Sequence, residues 1–242
     1  MRSDDGPDPR KKKPKLCMFC CGDKTQGKMS KEHWVPKCLW PDQKPVGMKT
    51  LPAHVSCNQS FADDNDYFRT IVSMYEGSEK HSEAMKVIGG PLKKLMTERR
   101  GQFDRYTQND FKVRSRYTDG GIYLGEQLAF PIDDSRMYRV LANIVRGLFY
   151  TVVGRPLEVD RRILINYTKG ENDLEVQKWA NRMYGWVGFG DDTFLCRYTF
   201  VEGFTDIACH LWFYKNLMFD AMSCGPEENK EPWDKVAGRI SY

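Results

Sequence analysis

The chain has 242 residues, 40% hydrophobic and 13% aromatic, enough to bury a core and too apolar for a disordered protein. No apolar run reaches the roughly 18–20 residues of a membrane span. The N-terminus carries charges and prolines where a signal peptide has its apolar stretch. A cytoplasmic protein is expected, in which disulfides are rare and the eight cysteines serve as metal ligands or buried thiols. The net charge of +4 is unevenly spread: residues 1–15 carry +3, 16–76 none, 77–118 +5 and 119–242 −4. A phosphate-binding surface would draw on the tail and on 77–118, although the same charges also suit a solvated face.

Residues 1–15 have no apolar side chain after Met1 and are expected to form a disordered basic tail. From residue 16 the chain is dense in Cys, His, Pro and Gly, then reads as a helix from about Asn58 to Tyr75, with Phe61, Phe68, Ile71 and Val72 on one broad face. A second helical stretch over 83–100 is interrupted by Gly89-Gly90-Pro91. Residues 111–118 and 122–130 predict two strands around Asp119-Gly120-Gly121. The clearest helix follows. Met137, Val140, Leu141, Ile144, Val145 and Leu148 keep helical spacing, with Asp133 to Ser135 as cap candidates and Gly154 after the end. Its other face shows Arg136, Arg139, Asn143 and Arg146, which read as a solvated face or a phosphate grip. Residues 161–167 predict a strand, 171–184 a helix, and the segments WVGFG, FLCRYTFV and IACHLWFYKNL two or three more strands. Trp179, Trp186 and Trp212 are expected in the core. The sum is α+β, with a small metal-bearing domain over 16–76 and a mixed α+β domain over 77–242.

Cys17-Met-Phe-Cys20 and His54-Val-Ser-Cys57 each place two residues between ligand types. Two such pairs offer four soft ligands to a tetrahedral Zn²⁺, which staples a region with little core of its own. Cys21 and Cys38 stand nearby as competitors. Between the pairs lies Glu32-His33, and Asn58 follows Cys57 directly. A neutral histidine near pH 7 is suited to take a proton from water. A carboxylate beside it and an amide oxygen across a hairpin suit a hard divalent cation such as Mg²⁺ or Mn²⁺. Such a cation neutralises charge on a scissile phosphate.

The string C-x2-C, then K-E-H-x-x-P, then H-x-x-C-N, over about residues 16–68, resembles the zinc-bearing branch of the HNH (ββα-metal) endonucleases. The resemblance implies a small zinc-stapled ββα-metal domain, with His33 as general base and Glu32 and Asn58 seating the catalytic cation. Cys17, Cys20, His54 and Cys57 would hold the structural zinc. Many relatives have Asp at the position of Glu32, Cys at that of His54, and a further histidine on the helix. Asn65 and Asp66 lie in that part of this sequence, where either could fill that role or be an ordinary surface residue, and the surface is expected. Residues 139–157 are similar to a segment of standalone bacterial HNH proteins, which assigns no chemistry. The expected partner is double-stranded DNA, with association into a homodimer or with a partner protein left open. The rival expectation is a catalytically inactive zinc-binding module that recognises nucleic acid or protein.

Overall fold

A computed structural model describes residues 15–118, 120–168, 182–200 and 205–225. The helix expected over 171–184 lies almost wholly outside these residues, as do Trp179, Asp119 and the tail before Lys15. The architecture is α+β. Strand β1 (Met29–His33) pairs antiparallel with β2 (Thr50–His54), setting Glu32 opposite Leu51 and His33 opposite Thr50. Helix α1 (Val55–Ser60) leaves β2 directly and breaks at Phe61 (φ −104°, ψ 1°) before α2 (Ala62–Met74). One helix from Asn58 is therefore two. Asp63 and Asp64 in the first turn of α2 suit its positive end.

Helices α3 (Ser82–Val87), α4 (Lys93–Glu98) and α5 (Arg100–Thr107) follow. Gly89-Gly90-Pro91 do not interrupt the helical path, because a π-turn over Ile88–Leu92 widens to take the proline ring. Strands β3 (Lys112–Tyr117) and β4 (Tyr123–Ala129) form the expected second hairpin. Helix α6 (Asp134–Val153) is capped by the Asp133 carboxylate, which accepts from the Arg136 amide at 3.2 Å, and ends at left-handed Gly154.

Strands β5 (Arg162–Thr168), β6 (Gly185–Phe189), β7 (Phe194–Phe200), β8 (Ile207–Phe213) and β9 (Leu217–Cys224) make an antiparallel sheet in the order β5-β9-β8-β7-β6. The last segment expected as strand, residues 207–217, spans β8 and the turn into β9. That turn uses Tyr214 and Lys215 at positive φ (53° and 57°), without the glycine that marks such turns.

The two segments expected as separate domains share one core. Trp34 packs edge-on against Phe194 and Phe189 of the sheet, at 5.7 and 5.9 Å between ring centroids, and Phe68 meets Phe213 at 5.0 Å. Fully burying each such side chain is worth about 1.5–3 kcal/mol, so the metal-bearing segment leans on the sheet as well as on its ligands. Among the described residues the buried tryptophans are Trp34 and Trp40, whereas Trp186, expected in the core, is 71% exposed. Trp212 is half-buried. Among the described residues no helix is long and apolar enough to cross a membrane.

Candidate metal centre and catalytic cleft

Cys17 and Cys20 occupy a tight turn before β1, and His54 and Cys57 flank the junction of β2 and α1. Their ligand atoms all lie within 4.8 Å of one another. A tetrahedron with Zn–S bonds of about 2.3 Å has edges of roughly 3.8 Å, so a metal such as zinc fits among them with little adjustment. The surroundings favour ligation too. The Asp23 carbonyl accepts from His54 Nε2 at 2.8 Å, which leaves Nδ1, 3.2 Å from Cys20 Sγ, as the free ligand atom. The His54 amide donates to Cys17 Sγ at 3.3 Å.

Burial works against the Cys17 thiolate, but amide donors from Cys20, His54 and Phe19 outweigh it and hold the thiol below its ordinary range. Burial and the neighbouring sulfurs push Cys57 up to about 12, a repulsion that a dication removes. Glycine makes room for the imidazole: a Cβ on Gly22 would stand 2.9 Å from His54 Cε1. The competitors point elsewhere. Cys21 donates to the Leu157 carbonyl at 3.2 Å, and Cys38 donates to the Asn65 carbonyl at 3.4 Å, its thiol pushed up to about 12 by burial.

Beside this centre is a narrow cleft lined by Glu32, His33, Asn58, Asn65 and Asn143. The expected trio therefore does meet. β1 delivers Glu32 and His33 at its end, and α1 brings Asn58 to hydrogen-bond the Glu32 carboxylate. Burial raises the Glu32 carboxyl above its usual range although Asn58 and Lys37 oppose it. Burial, then the charges of Lys44 and Lys37, lowers the His33 imidazole below its usual value, against a backbone hydrogen bond at Lys49. His33 Nδ1 is buried and has no hydrogen-bond partner among the described residues. Apolar Met18, Phe19, Trp34, Phe61, Val140 and Ile144 close the walls.

Two further polar groups, neither expected in the site, line this cleft. Asn65, expected at the surface, lines the cleft one helical turn beyond Phe61; Asp66 instead makes a local pair with Arg69 at 3.3 Å. Asn143 comes from α6, some 85 residues beyond Asn58. The only signal was an uncharged amide, a poor helix former, among arginines.

The arginines of α6 are all engaged within the fold, although Arg139 stays exposed. Arg139 grips Asp64 through two bonds of 2.7 and 3.0 Å, and Arg136 reaches Asp64 at 2.8 Å while its guanidinium lies over the Tyr67 and Tyr106 rings. Burial opposes the Asp64 carboxylate, but the two arginines hold it below its usual range. Arg146 donates to the carbonyls of Leu157, Glu158 and Arg161. Lys93, Lys94, Arg99 and Arg100 are exposed and make no ion pair among the described residues. No family model matches the chain, and neither a curated protein nor a solved structure does.

Proposed function

We propose that the chain is a metal-dependent endonuclease of HNH type that hydrolyses DNA phosphodiester bonds. One observation carries the reading: Glu32, His33 and Asn58 converge in a single cleft in which a buried imidazole nitrogen has no partner among the described residues. His210 Nε2 in the sheet is likewise buried without a partner among them, so the weight falls on the convergence of His33 with Glu32 and Asn58 rather than on the idle nitrogen alone. His33 Nδ1 is the atom that takes the proton from the attacking water. Glu32 and Asn58 offer a carboxylate and an amide oxygen, a donor set that suits Mg²⁺ or Mn²⁺. When bound, such a cation supplies charge neutralisation at the phosphate and the leaving oxygen. The cysteine–histidine centre holds the turn before β1 against the start of α1, which fixes Asn58 relative to Glu32.

Duplex DNA is the proposed substrate, gripped through its backbone rather than read by sequence. Lys93, Lys94, Arg99 and Arg100 are the candidate grip. Tyr106 and Gln102 reach Asp63 at 2.8 and 3.3 Å, which ties this basic segment to the helix start beside the cleft.

Plasmid cleavage with Mg²⁺ or Mn²⁺ tests the reading. His33→Ala is expected to keep zinc content and duplex affinity while losing about 10²–10⁴-fold in rate, the worth of a positioned general base. Asn58→Ala is expected to recover in part at high Mn²⁺, because mass action offsets weaker cation binding, while His33→Ala does not. If both variants cut like the parent, the assignment is wrong. Duplex binding without cleavage under any metal condition instead points to a recognition module.

A further inference from the structure

Helix α6 comes unusually close to Trp34, the residue just past β1. A Cβ on Gly147 would stand 2.2 Å from Trp34 Cβ and 3.2 Å from Met18 Cε, so only glycine allows this contact. Asn143 lies one turn earlier on the same face, half-buried and opening into the cleft beside Asn58 and Asn65. Its helix would be better served by alanine or leucine, and the apolar neighbours Val140 and Ile144 already fill the wall. No hydrogen bond to its amide is present among the described residues. The three arginines on the same polar stripe are all engaged, with Asp63, Asp64 or backbone carbonyls. One amide is left without a partner among the described residues, in the wall of the cleft.

From this placement we infer that Asn143 is a catalytic residue of the cleft, donating its side-chain N–H to a non-bridging oxygen of the scissile phosphate. The inference rests on the nuclease reading above and adds a substrate contact from the far half of the chain. A neutral donor suits the position. Glu32 and any bound cation set the charge, and an amide adds a directional bond to the phosphate without competing for the cation. The closeness of α6 at Gly147 holds that donor at a fixed depth, as a preorganised donor requires.

Two variants separate this role from its alternatives. Asn143→Ala improves helix propensity, so zinc content and thermal midpoint are expected to hold. Plasmid cleavage should fall about 10- to 100-fold, the worth of one hydrogen bond to a charged group. Affinity for a short duplex, measured with Ca²⁺ in place of Mg²⁺, should weaken by about 10-fold or less. Asn143→Asp should cut more slowly still, because its carboxylate repels the phosphate, and should leave the half-saturating Mn²⁺ concentration unchanged. If Asn143→Asp cuts like the parent and needs less Mn²⁺, the residue is a cation ligand and the donor role is overturned. If both variants cut and bind like the parent, Asn143 is wall alone and the inference fails while the nuclease reading stands. A parent chain that neither cuts nor binds duplex DNA overturns the reading beneath both.

Discussion

Hairpins β1–β2 and β3–β4 are both two-stranded antiparallel ladders, of five and of six to seven residues, yet only the first is enclosed. Around β1–β2 stand the candidate metal centre and α6, with Trp34 driven into the core just past the strand. Hairpin β3–β4 is rooted by Phe111, which meets Phe103 at 6.1 Å and Phe130 at 5.8 Å, and an Arg116–Glu76 ion pair touches it near its turn. Between these two points it stands in solvent, with Val113 60% and Leu128 69% exposed. A lone hairpin is marginal in water, so each must borrow stability, and they borrow it differently. Chemistry needs side chains fixed to a fraction of an ångström, and the candidate site lies in the hairpin with two braces.

The sharpest way to break this contrast is to remove the staple. Structural zinc sites in small peptides contribute on the order of 10 kcal/mol, comparable to a whole domain's stability. Cys57→Ser is expected to lose the metal, to lower the thermal midpoint by about 10 °C or more, and to release hydrogen-exchange protection first in β1–β2. Elemental analysis and exchange together check this. A metal-free protein melting at the parent temperature would mean that the sheet alone braces β1–β2.

A smaller effect tests the other brace, and its sign is informative. Gly→Ala inside a helix normally stabilises by about 0.8–1 kcal/mol. At Gly101, in α5 with nothing within 4 Å of an added Cβ, that gain is expected in full. At Gly147 the new methyl would collide with Trp34, and overpacking costs about 1–3 kcal/mol. Gly147→Ala should therefore destabilise where Gly101→Ala stabilises. Urea midpoints decide it; equal gains at both sites would mean that α6 does not press on Trp34.

The sequence made the local chemistry legible and hid what came from afar. Cys17, Cys20, His54 and Cys57 declare themselves by two matched spacings, and Glu32, His33 and Asn58 lie within the same short stretch. Every strand with a glycine-marked turn or strong alternation was also visible. Asn143 was not, because its meaning depends on α6 folding back against the residue just past β1, a contact fixed by one glycine meeting one tryptophan. Arg136, Arg139 and Arg146 looked solvated for the same reason: Asp63, Asp64 and the carbonyls that hold them lie elsewhere in the sequence. Strand β9 was missed because its turn uses tyrosine and lysine at positive φ, a conformation stabilised by the sheet rather than by residue preference. Local metal geometry can be read from spacing; long-range closure cannot.

The smallest effect is expected in the open hairpin. Leu128 sits opposite Val113 in β4, both of them exposed, so a serine there removes one cross-strand apolar pair and little burial. Such pairs contribute about 0.2–1 kcal/mol, and exposed substitutions usually fall within about 0.5 kcal/mol. Leu128→Ser is therefore expected to shift the urea midpoint barely, while an equivalent cut in the first hairpin, Leu51→Ser, costs several times more because Leu51 is buried opposite Glu32. Should Leu128→Ser prove as costly as Leu51→Ser, β3–β4 is covered in solution, and sedimentation of the parent across a concentration series would then identify a second copy of the chain as the cover.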